Sequence, residues 1–538
     1  MLHPTRTNLL QLKEKQGSIN NSIRILKARR QALVKEFIDS SRRFMKDRRK
    51  IRELYRRAIG ELAQSRSIED HGFLASIAAV SRRNPQLTLK RHNLMGVSYY
   101  DVTVQDSIIR ALEERPYDFW DTTQHFEDTI FDFERVAEAV LELADRRRAE
   151  AVGDDVTFVA NLNNNVTTAC NVGCLFCNFK DTAHQFEADH DADHAGFTKT
   201  PADSRRIVDD ALDLGISEVC SVSGLHPAFA LDDEHHEILA GYDKPAREVN
   251  YKPPGVYETD PGTYAEQIDA MSVDGIHVHS ITPEEAYHAS RGTDRDYESV
   301  YRRLREAGLN SAPGTAAEIL VEEVRDVICP GKISSTEWIE AMEGAMAAGL
   351  DTTATIMYGH VETERHRAMH LKRVRDLQDR TGGIREFVPL SFVHQNTPLY
   401  EHGVVEGGAS DAEDELMIAV SRLFFDNIDN IQSSWVKYGN AKGLKLLNCG
   451  ANDFMGTILS EEITKRAGGS YGEFRGVGDY VEMIGAIGRR PVERSTDYRT
   501  TRPISVEGDS EYGPMLGPRA DGTPMLPAAE DEPVAADD

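Results

Sequence analysis

Cysteine is scarce in this chain: six in 538 residues, unevenly placed. So few exclude a disulfide framework and point to a reducing, cytoplasmic setting. Long apolar runs are absent too. None approaches the ~20 residues a helix needs to cross a bilayer, and no secretory leader opens the sequence. The net charge is −27, but it is unevenly spread. Residues 1–100 carry about 22 Lys and Arg against about 8 Asp and Glu, which leaves the remainder near about −41. Beyond residue 100 lysine is rare, and an acidic body of this kind argues against nucleic acid as a partner. The lopsided split suggests two segments of different origin, and the length permits more than one domain.

Half of the scarce cysteines fall together. Cys170, Cys174 and Cys177 lie within eight residues, with Phe176 just before the last. Thiolates are soft ligands suited to zinc or to iron–sulfur clusters. A structural zinc site needs a fourth ligand, and Cys220, Cys329 and Cys449 are scattered singly. Three cysteines on a 4Fe-4S cluster would leave one iron open. The spacing C-x3-C-x-aromatic-C resembles the cluster loop of the radical S-adenosylmethionine (SAM) enzymes. It implies one 4Fe-4S cluster and SAM as cofactors.

Residues 8–65 read as one long helix. Ile19, Ile23, Leu26, Leu33, Phe37, Phe44, Ile51 and Leu54 recur at steps of three, four and seven, with Arg and Lys between them. The runs Pro4 to Leu10, Leu33 to Phe37 and His92 to Val97 resemble the start of the D-type central-stalk subunit of archaeal and vacuolar rotary ATPases. That resemblance makes residues 1–100 a coiled-coil segment and implies a possible contact with a rotary ATPase. It is incomplete, because no counterpart of the family's returning helix follows. Residues 104–150 form a helical lead-in with Phe126, Ile130, Phe133, Val136 and Val140 on one side. From 151 to 502, short apolar runs alternate with helical patterns, which predicts an α/β domain. Strands are expected near 157–162, 218–221, 275–279, 309–312, 353–358, 386–392, 428–433 and 445–448. Eight of them suggest a (β/α)8 TIM-type barrel, preceded by the long helix. Residues 503–538, rich in Pro, Gly, Asp and Glu, read as a disordered acidic tail.

In such barrels the chemistry gathers at the C-terminal ends of the strands. Ser223-Gly224 stands where the radical SAM pattern has a Gly-Gly turn for the methionine amino group of SAM. Glu318, after the fourth strand, could accept from a ribose hydroxyl. Gly359 and Glu362 loosely match the G-x-I-x-G-x-x-E element near the adenine. With Phe176 these are the candidate cofactor-binding residues. Candidate substrate-binding residues are His226, His277, His279, His360, His394, Asn396, Asn448, Asn452 and Asp453. Among them, a glycine-spaced, amide-rich loop at a barrel mouth would suit a flat polar heterocycle or a sugar chain.

Residues 105–500 resemble one family closely, the tyrosine-using subunit of FO synthase. The telling runs are 224–227, 313–320, 328–333, 358–362 and 448–453. Two menaquinone-pathway enzymes, aminofutalosine synthase and dehypoxanthine futalosine cyclase, share much of the pattern and are the alternatives. Extra sequence at 181–194 and 231–262 departs from it. The resemblance implies that Cys170, Cys174 and Cys177 hold the cluster and that SAM yields a 5′-deoxyadenosyl radical. Cleavage of L-tyrosine would then pass a 4-hydroxybenzyl group to 5-amino-6-(D-ribitylamino)uracil and release 2-iminoacetate. It further implies a second FO synthase subunit and an electron donor such as ferredoxin or flavodoxin as partners. A different class of reading makes the chain a stalk or docking protein through residues 1–100.

Overall fold

The computed structural model describes residues 6–70, 73, 87–94, 97–104, 109–115, 117–118, 120, 122–170, 172–180, 196–234, 259–291, 293–459, 463–469 and 476–504. The insertion at 181–194, most of that at 231–262 and nearly all of the 503–538 tail lie outside the described residues. The chain divides into two compact units, residues 1–81 with 107–140 and residues 82–106 with 141–538.

The first unit is built on α1 (Arg6–Ile68), 63 residues without a break. Its last turns pack against the start of α2 (Gln124–Val152), which runs antiparallel to it. Tyr55 meets Phe133 edge to face at 6.3 Å. The Arg57 guanidinium pairs with Asp132 at 2.7 Å, and His125 reaches Glu61 at 2.9 Å. So the end of α1 does have an antiparallel partner, supplied by the segment expected only as a lead-in.

The second unit contains a hairpin, β1 (Leu87–Leu94) and β2 (Val97–Val104), and then the barrel. In chain order the barrel contains β3 (Asp155–Val159), β4 (Asn161–Asn163), α3 (Pro201–Asp213), β5 (Glu218–Ser221), α4 (Tyr264–Met271) and β6 (His277–Ser280). Next come α5 (Pro283–Ser290), α6 (Tyr297–Glu306), β7 (Ser311–Ala312), α7 (Glu322–Ile328), α8 (Ser335–Ala347) and β8 (Asp351–Tyr358). After these are α9 (Glu364–Thr381), β9 (Ile384–Ser391), α10 (Pro398–Glu401), α11 (Asp411–Phe424), β10 (Asn430–Ile431) and α12 (Trp435–Leu447). The chain closes with β11 (Asp453–Gly456), α13 (Ile463–Arg466), α14 (Val477–Ala486), β12 (Arg490–Arg494) and β13 (Thr501–Pro503).

Strands β4 to β10 lie side by side in chain order, all parallel. A bridge from Gln432 to Asp453 joins β10 to β11, and β11 pairs with β3. With β3 and β4 as two halves of one strand, eight parallel strands close into the TIM-type barrel the sequence suggests. The helices start where the sequence writes a capping box. Thr200, Thr263, Thr282, Ser334 and Ser410 each cap a helix, answered by an acid three residues on. Between strands and helices lie fully buried side chains such as Phe158, Val219, Val278, Trp338 and Phe387. Each contributes roughly 1.5–3 kcal/mol by leaving water.

One strand is not where the sequence places it. Residues 445–448 end helix α12, where Leu444, Leu446 and Leu447 are buried. The eighth strand is Asp453–Gly456, inside the stretch expected as its closing loop. An apolar triplet serves a buried helix end as well as a strand, and four residues are too few to reveal a period. The consequence is a change of end: Asn448, Asn452 and Asp453 sit at the N-terminal floor of the barrel, not at its mouth. There β12 pairs parallel to β3 and antiparallel to β13, so residues 490–503 run beneath the bore. No helix among the described residues is long and apolar enough to cross a membrane.

Candidate active site

The loop after β4 carries the three clustered cysteines and is tied down on several sides. Leu175 N–H donates to Ile328 O at 2.9 Å, Leu399 N–H donates to Leu175 O at 3.0 Å, and Lys180 Nζ donates to Cys174 O at 3.3 Å. Two glycines admit its backbone. A Cβ on Gly224 would stand 2.4 Å from Ala169 O, and one on Gly331 would stand 2.4 Å from Val172 O. Cys170, Cys174 and Cys177 face one cavity of about 260 Å³ at the mouth of the barrel. All three are free thiols. Burial pushes the Cys170 and Cys174 thiols up, and the Lys332 ammonium pulls both down. No trio of His, Cys, Asp or Glu among the described residues is disposed for a single metal ion. A cluster takes one thiolate per iron, so it does not require three sulfurs to meet at one atom. Three thiols on one wall, with a cation beside them to offset the charge of a thiolate-bound cluster, fit such a group.

Phe176, Ser223, Gly224 and Glu318 line the same cavity. Glu318 holds a left-handed backbone, φ 44°. Its carboxylate receives Lys332 Nζ at 2.6 Å, and that ammonium lies 5.5 Å from the centre of the Phe176 ring. Two further acids enter from the start of α5. The Glu285 carboxylate caps the helix, accepting from Thr282 N–H at 2.8 Å, and also accepts from Ser223 N–H at 3.3 Å. Burial pushes its carboxyl up to about 7. Glu284 accepts from Ile333 N–H at 3.1 Å and is raised as well, by burial.

Beneath this cavity a second one, about 250 Å³, occupies the bore. Val222, Thr315, Thr355, Leu390, Lys437 and Ile463 line both, so the two communicate. Thr315 Oγ1, at the junction, is buried without a partner among the described residues. The lower walls are polar. Glu218 accepts from Asn161 at 3.0 Å and from Thr496 Oγ1 at 2.5 Å. Glu386 accepts from Gln432 at 2.9 Å and from Tyr498 O–H at 2.6 Å. The Arg494 guanidinium is held by Asp453 at 2.6 Å and stacks 4.1 Å from the Tyr498 ring centre. Burial, then the Asp453 charge, pushes the Glu386 carboxyl up to about 8. Burial drives the His279 imidazole down to about 4, so it is neutral.

The structure thus brings together Cys170, Cys174, Cys177, Phe176, Ser223, Gly224 and Glu318 at the mouth and His279 in the bore. The other sequence candidates lie elsewhere. His277 shares the Ser311 hydroxyl with His279, 2.7 Å from each, but stays off the bore. His226 is buried behind Gly224, its Nδ1 accepting from Ala228 N–H at 3.1 Å. Glu362 folds its own turn, accepting from Gly359 and His360 N–H and pairing with Arg367 at 2.7 Å. Gly359, His360 and Glu362 are among the lining residues of neither cavity. His394 and Asn396 stand outside both cavities, His394 against the Tyr400 ring and Asn396 donating to Arg466 O. Asn452 is engaged by Arg422 and by Ile431 N–H, and Asp453 by Arg494. Asn448 is the C-cap of α12. Sequence reasoning passed over Glu218, Glu284, Glu285, Glu386, Gln432, Lys437 and Arg494. A lone acid inside an apolar strand, as Glu386 is, was the available signal.

A parallel barrel whose mouth gathers three spaced thiols defines the class: a radical SAM enzyme. Residues 164–374 match the radical SAM superfamily, 381–506 the CofH/MqnC C-terminal region, and 8–150 the D-type subunit of ATP synthase. Two curated relatives are named 5-amino-6-(D-ribitylamino)uracil–L-tyrosine 4-hydroxyphenyl transferase. That of Haloarcula marismortui is 71% identical over 389 residues, covering 72% of this chain and 86% of the relative. That of Halobacterium salinarum is 69% identical over 392 residues, covering 73% and 86%. A solved methylornithine synthase is 17% identical with TM-score 0.47, covering 66% of this chain and 89% of its own. The chain belongs to the family of the 5-amino-6-(D-ribitylamino)uracil–L-tyrosine 4-hydroxyphenyl transferases. Membership implies a 4Fe-4S cluster and SAM.

Proposed function

We propose that the chain cleaves L-tyrosine and transfers its 4-hydroxybenzyl group to 5-amino-6-(D-ribitylamino)uracil, releasing 2-iminoacetate. The observation that carries this reading is a mouth cavity walled by three thiols and opening downward into a polar bore. Cys170, Cys174 and Cys177 would hold the cluster, with Lys332 offsetting its charge. When bound, cluster and SAM supply a 5′-deoxyadenosyl radical. Phe176, the Ser223-Gly224 backbone and Glu318 border the space where SAM would lie. Glu284 and Glu285 offer acceptors for an ammonium, and Lys180 and Lys437 offer cations for a carboxylate, which suits the two ends of an amino acid. The enclosing barrel excludes water from a reactive species. The finer partners follow from the same reading: a second FO synthase subunit, a ferredoxin- or flavodoxin-type donor, and a cytoplasmic setting.

Anaerobic reconstitution with iron, sulfide, SAM, dithionite, tyrosine and the aminouracil, read by mass spectrometry, tests it. A hydroxybenzyl adduct is expected, and replacing any of the three cysteines by alanine abolishes both the adduct and the cluster absorbance. Turnover only with a futalosine-type nucleoside would shift the reading to the menaquinone-pathway enzymes. The match of residues 8–150 to an ATP synthase stalk component favours a second role, docking through residues 1–100. Co-elution with rotary ATPase stalk proteins would support it, and its absence would remove it.

A further inference from the structure

The bore below the mouth has a chemistry of its own. Among its lining groups, His279, Glu386 and Gln432 are each more than nine-tenths buried. Each also turns one polar atom to the chamber with no partner among the described residues. His279 spends Nδ1 on Ser311 Oγ at 2.7 Å, which leaves Nε2. Glu386 takes its bonds from Gln432 and Tyr498 on Oε1, which leaves Oε2. Gln432 donates through Nε2, which leaves Oε1. Unsatisfied polar atoms at this depth are costly unless a ligand or water meets them.

What they can meet is constrained. The Arg494 guanidinium on the wall is already held by Asp453 at 2.6 Å and faces Glu386 at 3.6 Å. The Lys437 ammonium stands at the junction above and donates to Thr464 Oγ1 at 2.7 Å. Among the described residues, the lower walls therefore keep no uncommitted cation for an anionic ligand. A neutral imidazole, a largely protonated carboxyl and an amide can each accept, donate or do both. Such walls match hydroxyl groups, which also do both. The chamber lies beneath the cavity that holds the cysteines, so a chain housed there is withheld from the radical. For a polyol that separation matters, because C–H bonds beside hydroxyls yield hydrogen atoms more readily than ordinary ones.

We propose that the lower chamber is the subsite for the ribityl chain of the acceptor, with the reacting uracil ring at the Thr315–Thr355 junction above it. The assignment rests on the transferase reading and deepens it. His279 and Gln432 are positioning and specificity residues, since they touch the part of the substrate that does not react. The C-terminal segment supplies part of the floor, where Thr496 braces Glu218 and Tyr498 braces Glu386.

The test is calorimetric binding of two compounds to the reconstituted full chain: 5-amino-6-(D-ribitylamino)uracil and 5,6-diaminouracil, which lacks the ribityl chain. Wild type should bind the ribityl compound at least about tenfold more tightly, as lost hydrogen bonds to buried polar atoms require. His279→Leu and Gln432→Met should each erase most of that preference. Iron content, tyrosine affinity and affinity for the truncated compound should stay as in wild type. Two independent variants guard against either one failing to fold. Variants that keep the full preference, or that weaken both compounds equally, overturn the assignment and leave the transferase reading standing. If wild type binds neither uracil, the assignment and the transferase reading fall together.

Discussion

Glu386 carries the clearest pH signature at the scale of single residues. Its carboxyl is pushed up to about 8, against about 4.3 for an unhindered glutamate. Between those values the folded chain keeps a proton that the unfolded chain has released, so stability falls as pH rises through the window. Glu386→Gln removes the titration while keeping the shape. Denaturant unfolding from pH 5 to pH 9 should show wild type losing stability relative to the variant as pH rises. Parallel curves would refute the buried acid. Other groups that titrate in this range, such as Glu285 at about 7, are common to both proteins and cancel. The residue was readable only as a lone acid in an apolar strand. Its neighbours Arg494 and Tyr498 lie more than a hundred positions away and become neighbours only through the fold.

Among the elements, the cysteine loop depends on glycines that allow close backbone approach. Gly224→Ala puts a methyl 2.4 Å from Ala169 O and 2.9 Å from Thr167 O, both backbone atoms that cannot swing aside. Overpacking of this kind costs about 1–3 kcal/mol. The variant should melt several degrees lower and take up less than about half the iron on reconstitution. Gly485→Ala in α14 is the control. Nothing lies within 4 Å of that added methyl, and the helix gains about 0.5–1 kcal/mol. Equal iron uptake in Gly224→Ala and wild type would mean the loop does not need the glycine. The same scale explains the misplaced eighth strand. Leu444, Leu446 and Leu447 are apolar because α12 buries its last turn, whereas the strand Asp453–Gly456 opens on an acid, Asp453, which anchors Arg494. Local hydrophobicity pointed to the wrong one of the two.

Taken whole, the molecule joins an α1-based unit to a barrel. The matches to the radical SAM superfamily and to the CofH/MqnC C-terminal region lie within residues 164–506, and no described residue of α1 is among those lining the two cavities. A chain beginning at residue 82, which keeps the β1–β2 hairpin of the barrel's unit, should reconstitute its cluster and form the hydroxybenzyl adduct within about twofold of the full protein. Loss of the adduct with the cluster intact would bring residues 1–81 into the catalytic unit. The sequence by itself determined the long helix, the alternation that makes a parallel barrel and the three thiols, because each is written in near neighbours: a heptad, a strand period, an eight-residue spacing. Only the tertiary structure decided which polar residues reach the bore. Barrel closure brings Glu218 to Thr496 and Glu386 to Tyr498, separations of 278 and 112 residues. It also sends Asn452 and Asp453 to the floor instead of the mouth. Contacts set by ring closure depend on strand order and register, and no local pattern of residue types encodes either.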